Sequence, residues 1–124
     1  MNKIFIVFLG SGLGGVLRYF ISKNIASSGS LPLATLLSNV LASFMLGYFI
    51  SFLNNKTENL ENYKLFIAIG ICGGLSTFST FTLENWSLLM ARNYYEFLFN
   101  VFLSIILSLV ALIIGYSLYV KFFI

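Results

Sequence analysis

Gly70-Ile71-Cys72-Gly73-Gly74-Leu75-Ser76-Thr77-Phe78-Ser79-Thr80-Phe81-Thr82-Leu83-Glu84 lies inside a hydrophobic segment, yet it is built for more than spanning. Each glycine of the Gly73-Gly74 doublet weakens a helix by about 1 kcal/mol relative to alanine. The hydroxyl residues Ser76, Thr77, Ser79 and Thr80 follow at once. In hydrocarbon, a broken helix leaves carbonyls and amides without partners, and it survives only when buried in protein or lining a polar cavity. The doublet is therefore expected to break the third helix near mid-membrane. Freed carbonyls can hold a cation, and the restarted helix turns its positive end toward an anion. Phe78 and Phe81, three residues apart, fall on one helical face. This is the make-up of a transporter or channel site.

Composition agrees with a membrane location. Of 124 residues, 59% are hydrophobic and only 9% charged, against about 25% charged in soluble domains. Mean hydropathy is +0.95. The length suits one transmembrane domain, residues 1–124, with no separate soluble enzyme domain. The net charge of +3 comes from scattered basic residues, not from a basic patch with interleaved aromatics, which argues against nucleic acid as a partner. One cysteine, Cys72, and no histidine exclude an intrachain disulfide and any Cys/His metal cluster. The apolar opening continues past Gly15 without an Ala-x-Ala cleavage site, so it reads as a retained first span rather than a signal peptide.

Four spans are expected, at about residues 3–22, 31–53, 63–90 and 96–119. In the first, Gly10-x-x-x-Gly14 and Ser11-x-x-x-Gly15 place small residues four apart, which lets helices approach closely in a membrane. Arg18 lies near the end of this span. Either it snorkels to the head groups, or it gives an aqueous vestibule a positive potential that attracts anions. After a polar loop at residues 24–30, Pro32 suits the first turn of the second helix. There Thr35, Asn39, Ser43 and Gly47 form one small, polar stripe. Buried Asn39 needs hydrogen-bond partners, as interhelical glue or as a donor facing a pore. Residues 54–64 read as a solvated loop and helix start. Asn100, Ser104 and Ser108 share one face of the fourth span. They either bond back to carbonyls or solvate a moving anion.

Four spans put both termini on one side. That side collects Lys3, Lys56, Lys64 and Lys121, the other Arg18, Lys23 and Arg92. Four against three is almost no orientation bias. A chain that inserts both ways can pair with an inverted copy about a two-fold axis in the membrane plane.

Gly10-Ser11-Gly12-Leu13-Gly14-Gly15-Val16-Leu17-Arg18-Tyr19, Asn39, the Gly73–Phe81 run and Glu84 together resemble the Fluc fluoride channels, also called CrcB proteins, over the whole chain. The resemblance implies an all-α membrane protein of the plasma (inner) membrane, with four spans per chain. It implies antiparallel, dual-topology homodimers with two pores for fluoride. It also implies a structural sodium ion at the dimer interface, held by the backbone carbonyls of Gly73 and Ser76; the family usually has threonine where Ser76 stands. The pore phenylalanines map to Phe78 and Phe81, and the pore asparagine to Asn39. The fourth-span track maps to Asn100, Ser104 and Ser108, with tyrosine frequent in the family at the first of these.

The chemistry suits those roles. Fluoride is small and strongly hydrated, so a pore must replace its water with donors. The Asn39 amide and the hydroxyls of Ser79, Thr80, Ser104 and Ser108 supply them. Phe78 and Phe81 are expected to meet the anion through their positive ring edges; the alternative for two of fourteen phenylalanines is ordinary packing. Glu84 reads as a vestibule charge without direct anion contact. The competing class is a small dual-topology multidrug transporter, which needs a carboxylate inside the membrane to exchange protons; Glu84 is its only candidate. A helical subunit of a larger complex explains the small-residue faces but not a hydroxyl-rich break at midspan. With no histidine, no aspartate and no carboxylate pair, acid–base enzyme chemistry has no residues to run on.

Overall fold

The structure, a computed structural model, describes residues 2–25, 31–54 and 60–123. Residues 26–30 of the first polar loop and residues 55–59, including Lys56 and Glu58, lie outside them. The described chain is helical throughout: α1 (Lys3–Asn24), α2 (Leu33–Asn54), α3 (Glu61–Tyr63), a π-helical segment (Lys64–Cys72), α4 (Gly73–Leu75), α5 (Phe78–Met90) and α6 (Tyr94–Phe123). Four stretches are long and apolar enough to cross a membrane: Lys3–Asn24, Leu33–Asn54, Glu61–Met90 and Tyr94–Phe122. Their ends differ by a turn or less from those expected from the sequence. Most large apolar side chains point outward, among them Ile4, Phe8, Phe102 and Ile113, as a lipid solvent permits and water does not.

Two helix pairs carry the packing, and both cross on glycine. Ile6, Gly10 and Gly14 form the buried stripe of α1. A methyl group on Gly10 would collide with the Phe66 carbonyl, and one on Gly14 with the Ile71 carbonyl. The third span answers with glycines of its own. A Cβ on Gly70 would sit 2.8 Å from Gly10 Cα, and one on Gly74 2.5 Å from the Ser11 carbonyl oxygen. The second pair is α2 with α6, where Gly47 lies against the Leu112 carbonyl and Gly115 against that of Phe44. Between lipid-exposed helices, attraction comes from close van der Waals contact, so backbone-to-backbone approach is the main source of stability here. In both pairs the helices run in the same direction, and Lys3 Nζ meets Glu61 Oε1 at 2.7 Å at one end of the first.

The break in the third span does not fall where the glycine doublet suggests. Gly73 is helical (φ −66°, ψ −34°), and α4 continues through Leu75. The chain leaves the helix at Ser76 (φ −74°, ψ 154°) and Thr77 (φ −151°, ψ 120°). Gly74 is small because Ser11 and Gly15 pass next to it. Thr77 is extended because its N–H has a better acceptor outside the helix. The π-helical turn over Lys64–Cys72 was not foreseen either, since apolar periodicity over nine residues does not separate π from α. Such turns are rare and usually short.

Candidate ion path

Asn39 of α2 is the residue that organises the break. Its Oδ1 accepts from the Thr77 N–H at 2.7 Å, and its Nδ2 donates to the Thr77 carbonyl at 3.4 Å. One side-chain amide thus serves both polar groups of the extended residue, which in hydrocarbon would each cost several kcal/mol unpaired. An amide nitrogen carries two protons, so one Asn39 N–H remains. Thr77 then starts α5: its Oγ1 accepts from the Thr80 N–H at 3.2 Å, a helix cap.

Two clefts flank this junction. The first, about 310 Å³, is lined by Asn39, Ser43, Ser76, Thr77, Phe78, Phe81, Ser104, Ile105 and Ser108. The rings of Phe78 and Phe81 lie 5.9 Å apart and tilted by 36°. Phe78 is 79% exposed, so this wall of the cleft is open in a single chain. The second, about 440 Å³, holds Arg18, Tyr19, Ser22, Thr35, Ser38, Thr77, Thr80 and Glu84. Thr35 Oγ1 donates to Glu84 Oε1 at 2.7 Å. Thr77, only 7% exposed, is common to both walls.

The sites expected from the sequence therefore divide. Asn39, Phe78, Phe81, Ser104 and Ser108 meet in the first cleft, and Arg18 and Thr80 in the second. Ser79 lines neither; its Oγ lies 3.3 Å from Thr77 Oγ1.

Counting protons shows which hydroxyls can greet an anion. A serine or threonine has one O–H. Ser38, Ser43 and Ser76 each donate theirs at 2.8 Å to a carbonyl one turn back, on Ala34, Asn39 and Cys72. Thr77 gives its own to Thr80 Oγ1 at 3.1 Å, so the first cleft is left with Ser108, which has no hydrogen bond among the described residues, and Ser104, whose only hydrogen bond among them is to Asn100 Oδ1 at 3.5 Å. With the second Asn39 N–H, these are the available donors. The cleft also adjoins the N-terminal, positive end of the 13-residue α5.

For a cation, the chain offers neutral backbone oxygen. Gly73 is exposed, and a Cβ there would find only the Ala68 oxygen, at 4.0 Å. Ser76 leaves the helix just beyond it, with its hydroxyl already engaged by Cys72. Backbone carbonyl is a neutral, hard oxygen donor, the type that suits a hard monovalent cation rather than zinc or a transition metal.

The model of the family described as CrcB-like protein, camphor resistance (CrcB), matches residues 5–116. The chain belongs to the CrcB family. A fluoride-specific ion channel FluC of Pyrococcus furiosus is 36% identical over 118 residues, covering 95% of this chain and 96% of that one. A protein of the same name from Azobacteroides pseudotrichonymphae is 39% identical over 122 residues, with 95% and 96% covered. Another, from Bacteroides fragilis, is 38% identical over 120 residues, with 93% and 94% covered. The span matched by the CrcB family contains every residue of both clefts.

Sequence reasoning missed three parts of this CrcB site. Thr77 is both clamp partner and cap; a threonine directly ahead of a helical run is a favoured N-cap, the one local signal for it. Thr35 belongs to Glu84, a pairing across 49 positions that no local pattern announces. Asn85 is buried and bonded to Asn100; the argument that flagged Asn39, an amide inside a span, applies to it equally.

Proposed function

We propose that this chain is a passive, fluoride-selective channel that exports fluoride across the plasma membrane and relieves its toxicity. The observation that carries this reading is the first cleft, whose lining brings the free Asn39 N–H and the Ser104 and Ser108 hydroxyls together with Phe78 and Phe81. These donors replace part of the water shell of a small anion, while the ring edges hold it weakly enough to leave. Arg18 in the second cleft concentrates anions at the mouth. Proteins of the same family that are named fluoride-specific ion channels support the choice of ion. The test is flux from liposomes holding the purified protein alone: fluoride leaves rapidly, chloride and a drug cation do not. Chloride efflux as fast as fluoride efflux overturns the reading, and drug–proton exchange through Glu84 would replace it.

The working unit in this proposal is an antiparallel homodimer in the lipid bilayer. The near-even lysine and arginine count, four against three, and the open wall at Phe78 support it. The Gly73 and Ser76 carbonyls of two copies would supply four oxygens to one sodium ion on the axis. Held there, such an ion would supply positive charge to the broken helices and tie the copies together. Because it binds only the dimer, replacing sodium with a large organic cation is expected to weaken dimerisation and flux together. Sodium-independent dimerisation, measured by dilution in detergent, would remove the metal from the account.

A further inference from the structure

Behind the first cleft, a chain of hydrogen bonds runs from one of its donors through two residues that do not line it. Ser104 Oγ donates to Asn100 Oδ1 at 3.5 Å, Asn100 Nδ2 to Asn85 Oδ1 at 3.1 Å, and Asn85 Nδ2 to the Phe81 carbonyl at 2.8 Å. The chain links the two walls of the cleft, Ser104 on α6 and Phe81 on α5. Asn85, Asn100 and Ser104 are all buried, Asn100 to 2% exposure. Neither asparagine lines the cleft.

The direction of this chain is fixed at one end. A carbonyl can only accept, so Asn85 must present its nitrogen to Phe81 and its oxygen to Asn100. Asn100 must then present nitrogen to Asn85, and its oxygen faces Ser104. Serines in helices otherwise donate to the carbonyl one turn back, as Ser38, Ser43 and Ser76 do. Ser104 is kept from that carbonyl by an acceptor 3.5 Å away, a distance at which an O–H bond is weak. We propose that Asn85 and Asn100 are positioning residues that hold the Ser104 hydroxyl loosely, so that its proton turns to an anion arriving in the cleft. This rests on the fluoride-channel reading. Without the pair, Ser104 falls back onto its helix carbonyl and is lost to the ion.

The test is a double-mutant cycle on fluoride efflux from liposomes, with the fluoride concentration at half-maximal flux and the maximal flux measured separately. Ser104→Ala is expected to raise the half-maximal concentration by about tenfold, the scale of one hydrogen bond. Asn100→Leu is expected to do nearly the same in the wild-type background and to add less than about twofold in the Ser104→Ala background. Asn100→Leu leaves the Asn85 oxygen unpaired and could prevent folding. Asn85→Leu/Asn100→Leu removes both partners together, leaves no orphan, and is expected to show the same dependence on Ser104. An equal factor in both backgrounds, in a protein whose wild type conducts fluoride, reduces the pair to packing and overturns the proposal. A wild type that passes no fluoride overturns the channel reading beneath it.

Discussion

The two halves of the third span are held in opposite ways. From Lys64 to Leu75 it is fixed by contact without side chains, with Gly70 and Gly74 laid against Gly10, Ser11 and Gly15 of α1. From Ser76 to Asn85 it is fixed by directed polar bonds, with Asn39 on Thr77, Thr35 on Glu84 and Asn100 on Asn85. The first half is a rigid joint that offers no polar side chain to a cleft, only the backbone carbonyl of Gly73. The second exchanges helix bonds for side-chain bonds, and every such exchange leaves protons or oxygens near a cleft. Glycines so placed mark where backbones touch, and amides mark where the backbone opens.

The largest effect expected from this contrast is at the joint. Gly74→Val places a side chain on the Ser11 carbonyl and is expected to destabilise the fold by about 3 kcal/mol or more. Gly12→Ala, in the same glycine-rich motif of α1 but on the side turned away from the packed stripe, with open space around it, is expected to stabilise α1 by up to about 1 kcal/mol. Unfolding in detergent mixtures separates the two. Equal tolerance at both positions would mean that the glycine crossing is not the source of stability.

Next comes the clamp. Asn39→Ala removes the partner of a buried N–H and is expected to cost about 2 kcal/mol and to abolish flux. A variant that unfolds like the wild type would show that the break needs no clamp. The smallest structural effect is expected at the ring edge. Phe81→Ile keeps most of the apolar volume, for a stability loss of under about 1.5 kcal/mol, yet slows fluoride efflux strongly. An unchanged rate would return both phenylalanines to packing.

Much of this was legible in the sequence. Four apolar runs announce four spans, since hydrocarbon leaves a chain of this composition no alternative to helices. Of the first cleft's lining, Asn39, Phe78, Phe81, Ser104 and Ser108 were legible because two signals coincided: hydroxyls and phenylalanines at helical spacing, and an amide too costly to bury idle. The position of the break was not, because it depends on Asn39, 38 positions away from Thr77. Gly74 looked like a breaker for the same reason; the residue that needs its smallness, Ser11, lies on another helix. Thr80 shares a motif with Phe78 and Phe81, but, two residues after the first and one before the second, it falls on a different face of the helix and lines the Arg18 cleft.

The central claim is that the amide holding the break open is also the donor the ion meets. Asn39→Asp tests it most directly, because a carboxylate still accepts from the Thr77 N–H but has no N–H to give and repels an anion. The measurement is fluoride and chloride efflux from liposomes holding the wild type or this variant, each checked for an intact fold in detergent. The account predicts fluoride efflux at least about 100-fold faster than chloride for the wild type, a barrier difference of about 2.7 kcal/mol, and a folded Asn39→Asp protein that passes neither ion. A folded Asn39→Asp protein with wild-type fluoride flux would contradict it.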